Sequence, residues 1–189
     1  MTVQNDETFQ PTNGRVVGVL GLLVVLVLMT LGAIEGYPLW GVGLLAVIGV
    51  LTWAAVLRPG VRIADDELVL RNMLMTESVP LGAIEEVAVR RVLAVRAGDR
   101  RFVSPAISRS LRQTLRPKKS DQPVPSYPDF VEERIRTAAA DHRARLGIRG
   151  LSDEQEALAR EARREPAWPE LGALAVAVML LLVGLVLAL

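Results

Sequence analysis

Three long apolar runs, with nearly all charge held between the second and the third, dominate the pattern of this chain. Residues 16–34 run for 19 positions without a charge, residues 37–57 for 21 and residues 171–189 for 19. At about 1.5 Å rise per residue each makes a helix of roughly 28 Å or more, close to the thickness of a hydrocarbon core. The runs predict three transmembrane helices. The first two form a hairpin over 16-57 that turns at Glu35-Gly36, and the third lies in 168-189. The leader carries Asp6 and Glu7 and a single basic residue, Arg15, so it lacks the positive n-region of a signal peptide. Residues 1-15 are therefore expected to remain as an N-terminal tail.

Between the second and third runs the period shortens to that of strands. Pairing 61–64 with 67–71 through Asp65-Asp66 puts Val61, Ile63, Leu68 and Leu70 on one face, with Arg62 and Val69 on the other. Gly98-Asp99 has the Gly-first signature of a type II′ turn. It joins 93–97 to 100–104 and sets Val95 opposite Phe102 and Arg96 opposite Arg101. Residues 77–79 and 84–89 read as further strands, with Pro80 at an edge or strand end. A helix is expected over 106–115. Prolines 117, 123, 125 and 128 make 117-128 an extended linker. Residues 129–165 read as helical. Asp129 is the expected N-cap and Gly147 the stop, with Val131, Ile135, Ala138, Ala139, His142 and Leu146 on one face. A second helix opens on the capping box Ser152-Asp-Glu-Gln155.

The run Leu68-Val-Leu-Arg-Asn72, then Leu74, Val79-Pro-Leu81, Ile84 and Val87, resembles the bacterial pleckstrin-homology-like (PH) domain. The chain is similar in particular to small actinobacterial membrane proteins that carry such a domain. The resemblance covers about 50–60 residues and rests on apolar, structural positions. It implies a curled antiparallel sheet capped by a helix over 58-116, in a fold that hosts many binding functions. The expected whole is an α+β membrane protein: three transmembrane helices, a PH-like sheet plus helix, and two further helices in 129-167. Lipid-binding members of that family carry basic residues at the first hairpin. Here that turn is Asp65-Asp66-Glu67, which repels an inositol phosphate.

Charge then orients the topology. Of 22 basic residues, 21 lie between 58 and 167, and none sits in the hairpin turn. The positive-inside rule accordingly places 58-167 and the tail in the cytoplasm and the C-terminus outside a cell membrane crossed three times. Within that region the charge is uneven: net −3 over 58–89, +9 over 90–119 and −2 over 120–167. The basic segment contains Arg90, Arg91, Arg96, Arg100, Arg101, Arg109, Arg112, Arg116, Lys118 and Lys119. It reads either as a solvated face that enforces topology or as a patch for anionic phospholipid headgroups or a protein partner. Phe102 is its only aromatic residue, which disfavours nucleic acid.

Other chemistry is sparse. With no cysteine and one histidine, His142, no metal site or cofactor is expected. Asp65-Asp66 and Glu85-Glu86 are sequence neighbours, which strands point to opposite faces, so neither makes a general acid/base pair. Nucleophile-elbow, P-loop and dinucleotide signatures are absent, and catalysis is not expected. In the third run Ala173, Ala177, Gly184 and Ala188 form a candidate helix-packing stripe. Gly14 and Gly18 begin the first, and Gly41, Gly43 and Gly49 lie in the second. The expected role is that of a non-catalytic interaction or scaffold module held at the bilayer, with an unidentified protein partner or self-association. The alternative is an accessory or regulatory subunit of a membrane enzyme or transporter.

Overall fold

The computed structural model describes residues 6–11, 14–109 and 126–189. In chain order the elements are β1 (Glu7–Phe9), α1 (Arg15–Glu35), α2 (Leu39–Thr52), β2 (Gly60–Ala64), β3 (Glu67–Arg71), β4 (Met75–Pro80), β5 (Glu86–Val89), β6 (Val92–Ala97), β7 (Arg100–Ser108), α3 (Tyr127–Leu146), α4 (Asp153–Arg160), β8 (Arg163–Pro166) and α5 (Trp168–Ala188). A π-helical turn, Trp53–Leu57, prolongs α2, and a 3-10 turn, Leu81–Ala83, follows β4. The chain is α+β and divides into two compact units.

The helical unit draws on 14–58, 73–75 and 166–189. Its three long helices have mean hydropathies of 2.8, 2.1 and 2.9 and are long and apolar enough to cross a membrane. Helix α2 is the central one, packing on both α1 and α5. Small residues set the approach. A Cβ at Gly18 would lie 2.7 Å from Val56 Cγ1, and one at Gly49 would lie 3.3 Å from Val25 Cγ1. Across the other seam, a Cβ at Gly43 would lie 2.5 Å from the Leu181 Cα. Of the stripe on α5, Ala177 and Gly184 are buried, while Ala173 and Ala188 are exposed. The buried line continues through half-buried Leu174 and Leu181, because a packed helix face follows steps of three and four residues.

The other unit draws on 1–13, 59–72 and 76–165, so among the described residues β1, α3 and α4 fold together with the strands from β2 to β7. Two antiparallel sheets, in the orders β1-β2-β3-β4-β8 and β5-β6-β7, enclose one core. In the first hairpin Val61 pairs with Leu70 and Ile63 with Leu68, all four buried, while Arg62 pairs with Val69. Asp65 takes φ +53° in the turn. The second hairpin pairs Val95 with Phe102 and Arg96 with Arg101. Gly98 adopts φ +58° and Asp99 keeps a negative φ, the signs of a type II′ turn.

Several local expectations are corrected. Residues 106–108 continue β7 rather than start a helix, because Ala106 and Ile107 are core residues and a bulge at Val92/Leu93 keeps the longer strand paired. Residues 110–115 lie outside the described ones. The helix on the sheets is instead α3, which buries Val131, Ile135, Ala139 and His142. It starts two residues before Asp129. Ser126 is the N-cap, and its backbone N–H (3.0 Å) and hydroxyl (2.5 Å) both donate to Asp129 Oδ2. The Ser126 hydroxyl bond in particular holds the Asp129 carboxyl below the usual carboxylate range. Burial opposes it, and the Ser126 N–H and Arg109 assist. Gly147 ends the helix at φ +69°. Helical structure does not run on to 165: α4 stops at Arg160, and Arg163–Pro166 extends the first sheet. There Arg164 reaches Glu77 at 2.8 Å and lies 5.3 Å over the Phe102 ring. Helices α3 and α4 together grip the turn after β4. Gln155 Nε2 donates to the Gly82 and Ile84 carbonyls, each at 3.3 Å, and Arg143 donates to Ile84 as well.

Candidate functional site: a basic groove on the three-stranded sheet

Strand alternation gives the β5-β6-β7 sheet two unlike faces. Val87, Val89, Leu93, Val95 and Phe102 point into the core. The other face carries Glu86, Ala88, Ala94, Arg96, Arg101 and Val103, held in register by the pairs Glu86–Arg96, Ala88–Ala94, Ala94–Val103 and Arg96–Arg101. The two alanines leave the middle of this face low. A cavity of about 520 Å³ lies over it, lined also by Arg90 and Arg91 of the β5–β6 turn.

Ion pairing sorts the basic segment into distinct groups. Arg109 is committed to α3, paired with Asp129 and lying 3.9 Å from Glu132. Arg100 donates to the Ala162 carbonyl at 2.7 Å and stacks 5.1 Å above Phe102. Arg96, directly opposite Arg101, is drawn to Glu85 (3.3 Å) and Glu86 (3.8 Å), which offsets the like-charge repulsion of that pair. Arg90, Arg91 and Arg101 have no carboxylate within 4 Å among the described residues, and all three line the cavity. Arg112, Arg116, Lys118 and Lys119 lie outside the described residues.

Sequence reasoning missed the part played by Glu85 and Glu86. Strand alternation predicts that such neighbours diverge. However, Glu85 precedes β5, where its carboxylate accepts from the Gly98 N–H at 3.1 Å and reaches the same arginine as Glu86. Carrying the Gly98 hairpin register one strand further would have set Glu86 opposite Arg96.

His142 stands apart from the groove. Its Nδ1 lies 3.4 Å from Asp66 Oδ1 in the first hairpin turn, and the side chain is almost wholly buried. Burial pushes its pKa below the ordinary histidine value. Asp66 pulls upward but is 62% exposed and screened by water, and Arg145 and Arg143 push down again. Because the folded pKa is lowered, the unfolded chain binds the extra proton first. Stability is complete above the unfolded value of about 6.5 and declines as pH falls below it. The thermal midpoint of the wild type should therefore drop between pH 7 and 5.5 by more than that of His142→Gln. Parallel pH profiles for the two proteins would refute the assignment.

Among the described residues no group of three or more His, Asp or Glu side chains is placed to hold a metal ion. No family model matches this chain, and neither the curated proteins nor the solved structures contain a match to it.

Proposed function

We infer that this chain is a non-catalytic membrane protein whose PH-like unit, held at the cytoplasmic face of the cell membrane, serves as an interaction or scaffold module. One observation carries this reading. The strand before α1, the strand after α2 and the strand before α5 all belong to one sheet. Two crossings by α1 and α2 would return the chain to the side it left, a reading that the pairing of β1 with β2 supports. A third crossing by α5 then puts Leu189 on the opposite side, with the Glu35-Gly36 turn. The arginines after α2 and before α5 favour the cytoplasm for the sheet unit.

A domain tied to three helices is at the bilayer whether or not it binds lipid. Recruitment is then redundant, and partner binding gains weight. The PH-like reading is supported by the run β1 to β4 in one sheet, β5 to β7 in the second, and α3 packed on the shared core. The acidic first turn and the added strand β8 are departures from that family's pattern.

Crosslinking of the full chain in native membranes, followed by mass spectrometry, tests the role. Self-association supports a scaffold, and a stoichiometric enzyme or transporter supports the accessory-subunit alternative. A chain that crosslinks to no protein overturns both.

A further inference from the structure

We propose that the groove on the outward face of β5-β6-β7 binds a phosphate ester through Arg90, Arg91 and Arg101. Three features converge there. These guanidinium groups carry no carboxylate partner among the described residues, whereas Arg96, Arg100 and Arg109 around them are all engaged. The Ala88–Ala94 pair keeps the floor low enough for a ligand to sit between the arginines. The cavity of about 520 Å³ has the dimensions of a small-molecule or headgroup site rather than of a protein footprint.

Arginine is suited to this ligand. Its planar fork donates two parallel hydrogen bonds to phosphate oxygens and stays charged at every physiological pH. Three such groups around a dianion leave the site cationic and would hold it against monovalent counterions. Among the described residues the groove lining contains no aromatic ring, so a nucleobase finds no stacking surface there. The chemistry is shared by two sources, the headgroup of an anionic phospholipid and a soluble phosphate ester. The site rests on local geometry and does not require the interaction-module reading; either can fail without the other.

The test uses the full chain in nanodiscs and phenylglyoxal modification of arginine, read by peptide mapping. Arg149, exposed and not part of the groove lining, is the internal reference. In phosphatidylcholine discs, added sn-glycerol 3-phosphate should lower labelling of Arg90, Arg91 and Arg101 at least fivefold and leave Arg149 unchanged. That result assigns the groove to soluble phosphate esters. Protection seen only on moving to discs rich in phosphatidylglycerol assigns it to the headgroup. No protection in either arm, or equal loss at Arg149, overturns the site. Protection by a polyglutamate peptide alone also overturns it, in favour of an acidic protein segment.

Arg101→Thr guards against misfolding as an explanation. The change puts a strand-favouring residue opposite Arg96 and removes a like charge. Its thermal midpoint should equal or exceed that of the wild type, while the affinity for whichever probe protects falls at least tenfold. A variant that binds as the wild type does would exclude Arg101 from the site and sink the three-arginine assignment.

Discussion

Gly184→Val should drive α2 and α5 apart. A Cβ at position 184 would fall on the backbone of Leu39 and Trp40, and one at Gly43 would fall 2.5 Å from the Leu181 Cα and N. Backbone atoms cannot turn aside as the end of a side chain can, so the helices themselves must separate. The two close approaches lie on one antiparallel seam, and separation at 184 loosens the contact at 43 too. Overpacking of this kind costs about 1–3 kcal/mol in a packed core, and the rigid backbone on both sides puts this case near the upper end. Gly172 is the control, because nothing lies within 4 Å of a Cβ there. The chain has no cysteine, so pairs introduced across the α2–α5 seam report crosslinking without background. Crosslinking should collapse in Gly184→Val and persist in Gly172→Val. Equal yields in both would refute the seam.

Arg58→Ala should be at least as damaging. Arg58 closes the end of the π-helical turn after α2, and its Nε meets Glu170 Oε1 at 2.6 Å in the first turn of α5. Its Nη1 also donates to the Met75 carbonyl at 3.2 Å. The two side chains are only 11% and 16% exposed, so removing one leaves the other charge poorly hydrated. Breaking a buried pair in this way costs about 3–5 kcal/mol. Some contact with water remains here, which argues for about 3 kcal/mol. Glu170→Ala should show the same loss, and Arg58→Met with Glu170→Met should recover much of it, because no lone charge remains. The denaturation midpoint in detergent micelles measures all three. A double variant as unstable as either single one would show that the charges matter apart from their pairing.

Much of this architecture could be read from local signals. The apolar runs are long enough to define helices without any knowledge of packing. The Asp65-Asp66 and Gly98-Asp99 turns fix register because alternation leaves only one pairing that buries Val61, Ile63, Leu68 and Leu70, or Val95 and Phe102. Other elements carry no local signal. Strands β1 and β8 are three and four residues long, and each forms only because a distant edge is there to receive it. Residues 106–108 look helical in isolation, yet join a strand because the core needs Ala106 and Ile107. In the groove, sequence supplied the arginines and the Arg96–Arg101 register. Which guanidinium groups stay unpaired depends on Glu85, on Asp129 and on the Ala162 carbonyl, partners fixed only by tertiary structure.

The pairing of β1 with β2 also imposes an order on biosynthesis. The ribosome delivers Glu7–Phe9 roughly fifty residues before Gly60–Ala64, an interval of about 3–10 s at ordinary elongation rates. During that time the first strand has no edge to join, and α1 and α2 must emerge before one exists. Once made, β2 offers an open edge until the early strand docks. The N-terminal tail therefore acts as a built-in cover for that edge, and a bulky fusion placed beside it would leave a sheet edge free to pair with other chains.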